Sequence, residues 1–153
     1  MHTPSMKRSQ AILRMPMDMV EVLMIDHTGA RFDALLFIPP TEDVALLLTQ
    51  GKQFVPVCIK GREHLVARSA IACFGVPADR APSLSEDLPS VEQQVTITMR
   101  SGTTLEGKLA WIPLDNERRL ADHLESDSPM VVLYGADMVY LVGKAQIAKV
   151  SER

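Results

Sequence analysis

Val95-Thr96-Ile97-Thr98-Met99-Arg100-Ser101-Gly102-Thr103-Thr104-Leu105-Glu106-Gly107-Lys108-Leu109 carries the pattern of a β-hairpin. Val95, Ile97 and Met99 alternate with Thr96 and Thr98, the period of a strand with one buried face. Ser101-Gly102 interrupts the run with a residue free to take positive φ. Leu105, Gly107, Leu109 and then Trp111 form one face of a returning strand, so the stretch reads as a hairpin. Beyond it, Asp115 or Asn116 caps a helix whose Leu120, Ala121 and Leu124 face inward. Met130 to Tyr134 turns through Gly135-Ala136-Asp137 into Met138 to Val142, and Gly143-Lys144-Ala145 leads into a last strand, Gln146 to Val150.

The region from Val22 to Phe74 carries the same plan. Gly29 matches Gly102, Leu36 matches Leu109 and Pro40 matches Pro113, all at one constant offset along the chain. Ala45 then matches Ala121, Leu48 matches Leu124, Val55 matches Val131, Leu65 matches Leu141, Val66 matches Val142, Ile71 matches Ile147 and Ala72 matches Ala148, all at a second, slightly larger offset. A short insertion near Asp115-Asn116-Glu117 accounts for the change of offset. Internal repeats are sought first because missing them mis-assigns the fold.

In the first copy Met19 to Ile25 reads as a strand, Asp26-His27-Thr28-Gly29 as a turn and Arg31 to Ile38 as a strand closed by Pro39-Pro40. Thr41 suits a helix cap, with Glu42 and Asp43 at the positive end of the dipole. Val44, Ala45, Leu47 and Leu48 supply the apolar face of about two and a half turns, and Gly51 ends it. Gln53 to Ile59 is a strand that contains Pro56, which cannot donate to a ladder and so predicts an edge or a bulge. Lys60-Gly61-Arg62-Glu63 turns into His64 to Ala67. Arg68-Ser69-Ala70 connects tightly to Ile71 to Val76.

The expected architecture is mainly β: two tandem small barrels, each β-β-α-β-β-β. Residues 1–17 form a flexible tail, 18–76 the first barrel, 77–92 a Pro/Ser-rich linker and 93–150 the second barrel. Domains this small are marginal alone, so the copies are expected to pack together or to add a partner chain, with homodimerisation as one outcome.

Composition narrows the function. The chain has 153 residues, 46% hydrophobic and 23% charged, which are globular values. A net charge of −3 argues against a surface that is wholly a phosphate-binding field, and 5% aromatics leaves few stacking platforms for single strands. Two cysteines, Cys58 and Cys73, are not matched in the second copy, so disulfides are not the framework. They read as free, buried thiols in a reducing cytoplasm. Lys7 and Arg8 precede no apolar core of a signal peptide. No apolar run approaches the roughly 20 residues of a spanning helix.

Val95 to Leu109 resembles the first signature of the Sm/LSm small barrels: alternating apolar residues, a turn glycine, then a glycine before the bend of strand two. Val139-Tyr140-Leu141-Val142-Gly143-Lys144-Ala145-Gln146-Ile147-Ala148-Lys149-Val150 is similar to the second signature, and SH3-like barrels share the pattern. The resemblance implies small β-barrels, and it covers about half of each copy. The Sm family places its helix before strand one, whereas this chain puts one between strands two and three, where the family carries an RNA-reading Asp and Asn. Asp115 and Asn116 lie there but read as helix caps. The tandem plan is also similar to a bacterial family of small proteins of unknown function, a likeness that implies no activity.

No catalytic constellation emerges. Cys58 with His64 lacks an orienting third group and oxyanion donors. Asp122, His123 and Glu125 do not share one helical face, so no metal is expected. His64 matches Tyr140 and reads as an amphipathic ring on a strand, and Trp111 matches Ile38 and reads as core. No phosphate-cradling glycine loop is present and no cofactor is expected. The first expectation is therefore a cytoplasmic, non-enzymatic protein-binding or scaffold module that works through sheet edges and loops, with Glu117, Arg118 and Arg119 as a recognition patch. The alternative is an Sm-like nucleic-acid-binding protein that uses Lys7, Arg8, Arg14, Lys144 and Lys149. A small-ligand sensor is the third reading.

Overall fold

The computed structural model describes residues 17–40, 42–50, 52–84, 86–113 and 119–153. The expected helix-capping positions Thr41, Gly51, Asp115 and Asn116 lie outside the described residues. The strands are β1 (Asp18–Asp26), β2 (Arg31–Ile38), β3 (Phe54–Ile59), β4 (Arg62–Ala67), β5 (Ile71–Val76), β6 (Val91–Met99), β7 (Thr104–Trp111), β8 (Met130–Tyr134), β9 (Val139–Gly143) and β10 (Ile147–Glu152). Among the described residues two short α-helices, α1 (Ala45–Thr49) and α2 (Leu120–Leu124), follow β2 and β7. The chain is mainly β.

Among the described residues the ten strands belong to one antiparallel sheet in the order β10-β6-β7-β8-β9-β5-β1-β2-β3-β4. Each half of the chain runs its five strands in the same order, fifth-first-second-third-fourth. The halves join where β5 pairs with β9, in the register Cys73↔Val142, Phe74↔Leu141, Gly75↔Tyr140 and Val76↔Val139. Backbone hydrogen bonds recur at matched positions. Asp26 N donates to Ala30 O (3.0 Å) as Met99 N does to Thr103 O (2.8 Å). His27 N donates to Ala70 O as Arg100 N does to Gln146 O, both at 2.8 Å. Arg68 N donates to Gln53 O (2.7 Å) as Lys144 N does to Pro129 O (2.9 Å).

Local chemistry explains the hairpins. The turns after β1 and β6 place Gly29 and Gly102 at φ of 90° and 96°, a region that side chains other than hydrogen rarely enter. In the first turn Asp26 Oδ1 accepts from Thr28 N (2.9 Å), Thr28 Oγ1 (2.6 Å) and Ala30 N (3.0 Å). Burial alone would raise the Asp26 carboxyl pKa, but these bonds and nearby His27 outweigh it and hold the pKa below its ordinary value. The side chain acts as an Asx-type staple for the turn.

Two apolar clusters lie on opposite faces of the seam. The first takes Val20, Val22, Leu36, Val55, Val57 and Phe74 from the first half, and also Met130, Val139 and Leu141 from the second. The second takes Val95, Ile97, Leu109, Trp111 and Leu133, and also Ile25, Ala72 and Cys73 from the first half. Every residue of β5 is buried, because both of its faces are covered. Trp111 is core, as its match to Ile38 predicts.

Several expectations need correction. Helix α1 is only five residues long, and Asp43 Oδ1 accepts from Ala45 N at 2.9 Å. The stretch after β5 packs more than a spacer: Arg80 pairs with Asp18 at 2.8 Å, Ala81 packs on the first cluster, and Pro82 O accepts from Tyr134 Oη at 3.1 Å. Strand β6 begins at Val91 because Val91 pairs with Trp111, and β10 runs on to Glu152, opposite Val95. Pro56 lies on β3, one strand in from the end of the sheet. Its nitrogen faces β2, where pairing is limited to Leu35↔Cys58, so the missing donor disturbs no full ladder.

Candidate docking surfaces at the two ends of the sheet

Strand β4 forms one end of the sheet. The bond from Arg68 N to Gln53 O makes 53/68 a hydrogen-bonded pair, and such pairs alternate along an antiparallel ladder. The backbone groups of Glu63 and Leu65 therefore point away from β3, toward the open edge. The inward side chains of β3, Val55 and Val57, fill the first cluster, so Phe54 and Pro56 emerge on the opposite face, with Leu65 paired against Pro56. Phe54 is 54% exposed and Leu65 is 67% exposed. Among the described residues this edge is unpaired, and an unpaired edge with apolar side chains beside it is a template for another strand.

The other end is β10. Arg153 N donates to Gln94 O at 2.9 Å, so by the same alternation Val150 and Glu152 present their backbone groups outward. Beside β10 lies an open groove of about 590 Å³ lined by Trp111, Leu120, Ala121, Leu124 and Val150, with Arg119 at its rim. Arg119 is exposed and reaches Asp122 at 3.8 Å, a contact worth little in solvent. Trp111 forms the floor, and the His123 ring stacks on it with centroids 4.6 Å apart and planes 3° from parallel. His123 carries no motif in the sequence, and its one signal is its position on a helix that follows the strand of Trp111. A second open cleft, of about 520 Å³, is lined by Leu48, Phe54, Met130 and Gln146.

Of the expected recognition patch, Arg119 borders the groove, while Glu117 and Arg118 lie outside the described residues. The expected basic residues do not gather in one place. Lys7, Arg8 and Arg14 lie outside the described residues, and Lys149 is exposed on β10. Lys144 Nζ donates to Ser126 O (2.8 Å) and Ser126 Oγ (3.3 Å). Burial lowers the Lys144 pKa, opposed by the charges of Glu125 and Asp127. His64 is exposed on β4, opposite Val57. Among the described residues, no three His, Cys, Asp or Glu side chains converge as a metal site would require. No helix among the described residues is long and apolar enough to cross a membrane.

Cys73 is fully buried at the seam, and burial pushes its thiol pKa up to about 12, opposed only by the charge of Arg31. A thiol held neutral in the fold makes a poor nucleophile. Between its ordinary value of 9.0 and about 12, the unfolded chain loses a proton that the folded chain keeps. Stability is therefore full below pH 9 and falls as the pH rises through that window. Tyr134, raised by burial, acts in the same direction. Urea midpoints measured across this range should drop with pH, and the drop should shrink in Cys73→Ala. In native chain a thiol reagent should label Cys58 and spare Cys73. Equal labelling of both would contradict the buried seam.

Comparison with protein-family models, with curated proteins and with solved structures finds no match.

Proposed function

We propose that this chain is a non-enzymatic protein-binding or scaffold module built from two SH3/Sm-like small-barrel repeats. The observation that carries this reading is the β4 edge: outward backbone groups flanked by exposed Phe54, Pro56 and Leu65. Main-chain pairing at such an edge supplies affinity, and side chains on alternate positions supply specificity. The shared strand order of the two halves and their recurring hydrogen bonds support the repeat. The location we propose is cytoplasmic, in keeping with two free thiols.

The test is a pull-down with tagged full chain from its native cell, with and without nuclease. A stoichiometric protein that survives nuclease and is lost with Leu65→Glu is the expected result. Partners released by nuclease, with nucleic acid in the eluate, would instead favour the Sm-like nucleic-acid reading, whose described basic residues are Lys144 and Lys149. Recovery of the bait alone would overturn protein binding and direct attention to a small ligand.

A further inference from the structure

The β5·β9 seam is an interface between two sequence-matched halves, and it is heterologous. The first half contributes its fifth strand, and the second half contributes its fourth, β9. The strands left over are the matches of these two. Strand β10 is the counterpart of β5 in the second half, and β4 is the counterpart of β9 in the first. They are the two ends of the sheet.

Side chains show the same relation. On β8 and β9, Met130 and Leu141 leave their own half and fill the first cluster, where they are 9% and 0% exposed. Their matches on β3 and β4 are Phe54 and Leu65, at 54% and 67%. The residues that share the cluster with Met130 and Leu141 include Ile38, Val44, Leu48 and Phe74, all buried. Their matches are Trp111, Leu120, Leu124 and Val150, which line the open groove beside α2. Leu120, Leu124 and Val150 are only half-buried. The chain therefore carries a second apolar edge and a second groove, each matched to a partner that the seam already joins once.

We infer that the β3–β4 edge of one chain adds to β10 of a second copy in the register of the internal seam, with Phe54 and Leu65 seated in the groove beside α2. This inference rests on the protein-binding reading above and names its partner. The matched register pairs Lys149 with Val66, Val150 with Leu65, Ser151 with His64 and Glu152 with Glu63. Backbone direction agrees: Val150 and Glu152 on one edge, and Leu65 and Glu63 on the other, all present their N–H and C=O groups outward. A slip of one residue would set outward groups against inward ones and turn Leu65 away from the groove. The last pair sets two carboxylates side by side, where the seam has Val76 and Val139. Like charges directly opposite weaken strand pairing, so the contact between copies is weaker than the seam. Each copy offers one edge and one groove, so association continues past two chains unless a ring closes.

Sedimentation of the full chain over a concentration series tests this. The expected result is a weight-average mass that climbs above one chain with concentration. Leu65→Glu, at an exposed position, should weaken association on the order of tenfold or more while leaving the thermal melt unchanged. Glu63→Gln should tighten it by roughly threefold by removing the facing carboxylate. Ala121→Glu, exposed in the groove wall, should also block it. An equimolar mixture of the Leu65→Glu and Ala121→Glu chains should recover association but stop at two chains, since one keeps only a working groove and the other only a working edge. A single-chain mass at every concentration, or association indifferent to Leu65→Glu, would overturn the inference. If that single chain still captures a nuclease-resistant protein that is lost with Leu65→Glu, the protein-binding reading survives while self-pairing fails.

Discussion

Leu141→Ala is expected to lower the unfolding free energy by about 3 kcal/mol, within the range for fully buried leucines. Leu65→Ala, at the matched position, should change it by less than about 0.5 kcal/mol, as exposed substitutions usually do. Both residues are leucines on the fourth strand of their half, so identity and propensity cancel in the comparison. The difference comes from what lies outside the strand. Leu141 pairs with Phe74 across the seam and belongs to the first cluster, whereas Leu65 is 67% exposed. Urea unfolding followed by circular dichroism, at a concentration low enough to hold the chain as single copies, reads both values. A single transition is also expected for the Leu141→Ala chain, because each cluster takes residues from both halves. Two separated transitions, or equal costs for the two leucines, would show that the seam does not bind the halves into one cooperative unit.

Gly107→Val should cost about 3 kcal/mol, and Gly107→Ala about 2 kcal/mol, at the upper end of overpacking effects. A Cβ at this position would sit 2.6 Å from Tyr134 O and 3.0 Å from Leu133 Cγ. The obstacle is backbone, and it can retreat only by loosening the pairs Lys108↔Tyr134 and Leu109↔Leu133 that join β7 to β8. The matched position in β2 is Ala34, which is buried without difficulty, so the demand for glycine is local to the β7–β8 approach. The same unfolding experiment checks it. A neutral Gly107→Ala would mean that β8 can move away at little cost. In that case the β8–β9 hairpin would not be held firmly enough to present Met130 and Leu141 to the first cluster.

Most of the strands are legible in the chain because their signals are local. Period-two alternation marks β1 and β6, Gly29 and Gly102 mark the turns that need positive φ, and β5 and β8 run over the expected residues. The order of elements, with a short helix after the second strand of each half, is legible for the same reason. The helix is shorter than its sequence suggests because its apolar residues extend beyond the hydrogen-bonded turn. The spacer after β5 packs more than its sequence suggests because Arg80 and Pro82 find partners far away in the chain, at Asp18 and Tyr134.

The candidate site is legible only in fragments. Arg119 stands out by its charge, and it borders a groove whose floor, Trp111, reads from the sequence as core. Phe54 and Leu65 carry no local signal, since an apolar residue in a strand is normally buried and nothing beside them in sequence says otherwise. The strands, the turns and the order of elements in each half are legible in the chain, because they follow from short-range periodicity and backbone preference. Which edges are covered is not legible locally, because edge pairing depends on residues far apart in the chain. One β5 can accept one β9, and that leaves the matched edge and the matched groove uncovered among the described residues.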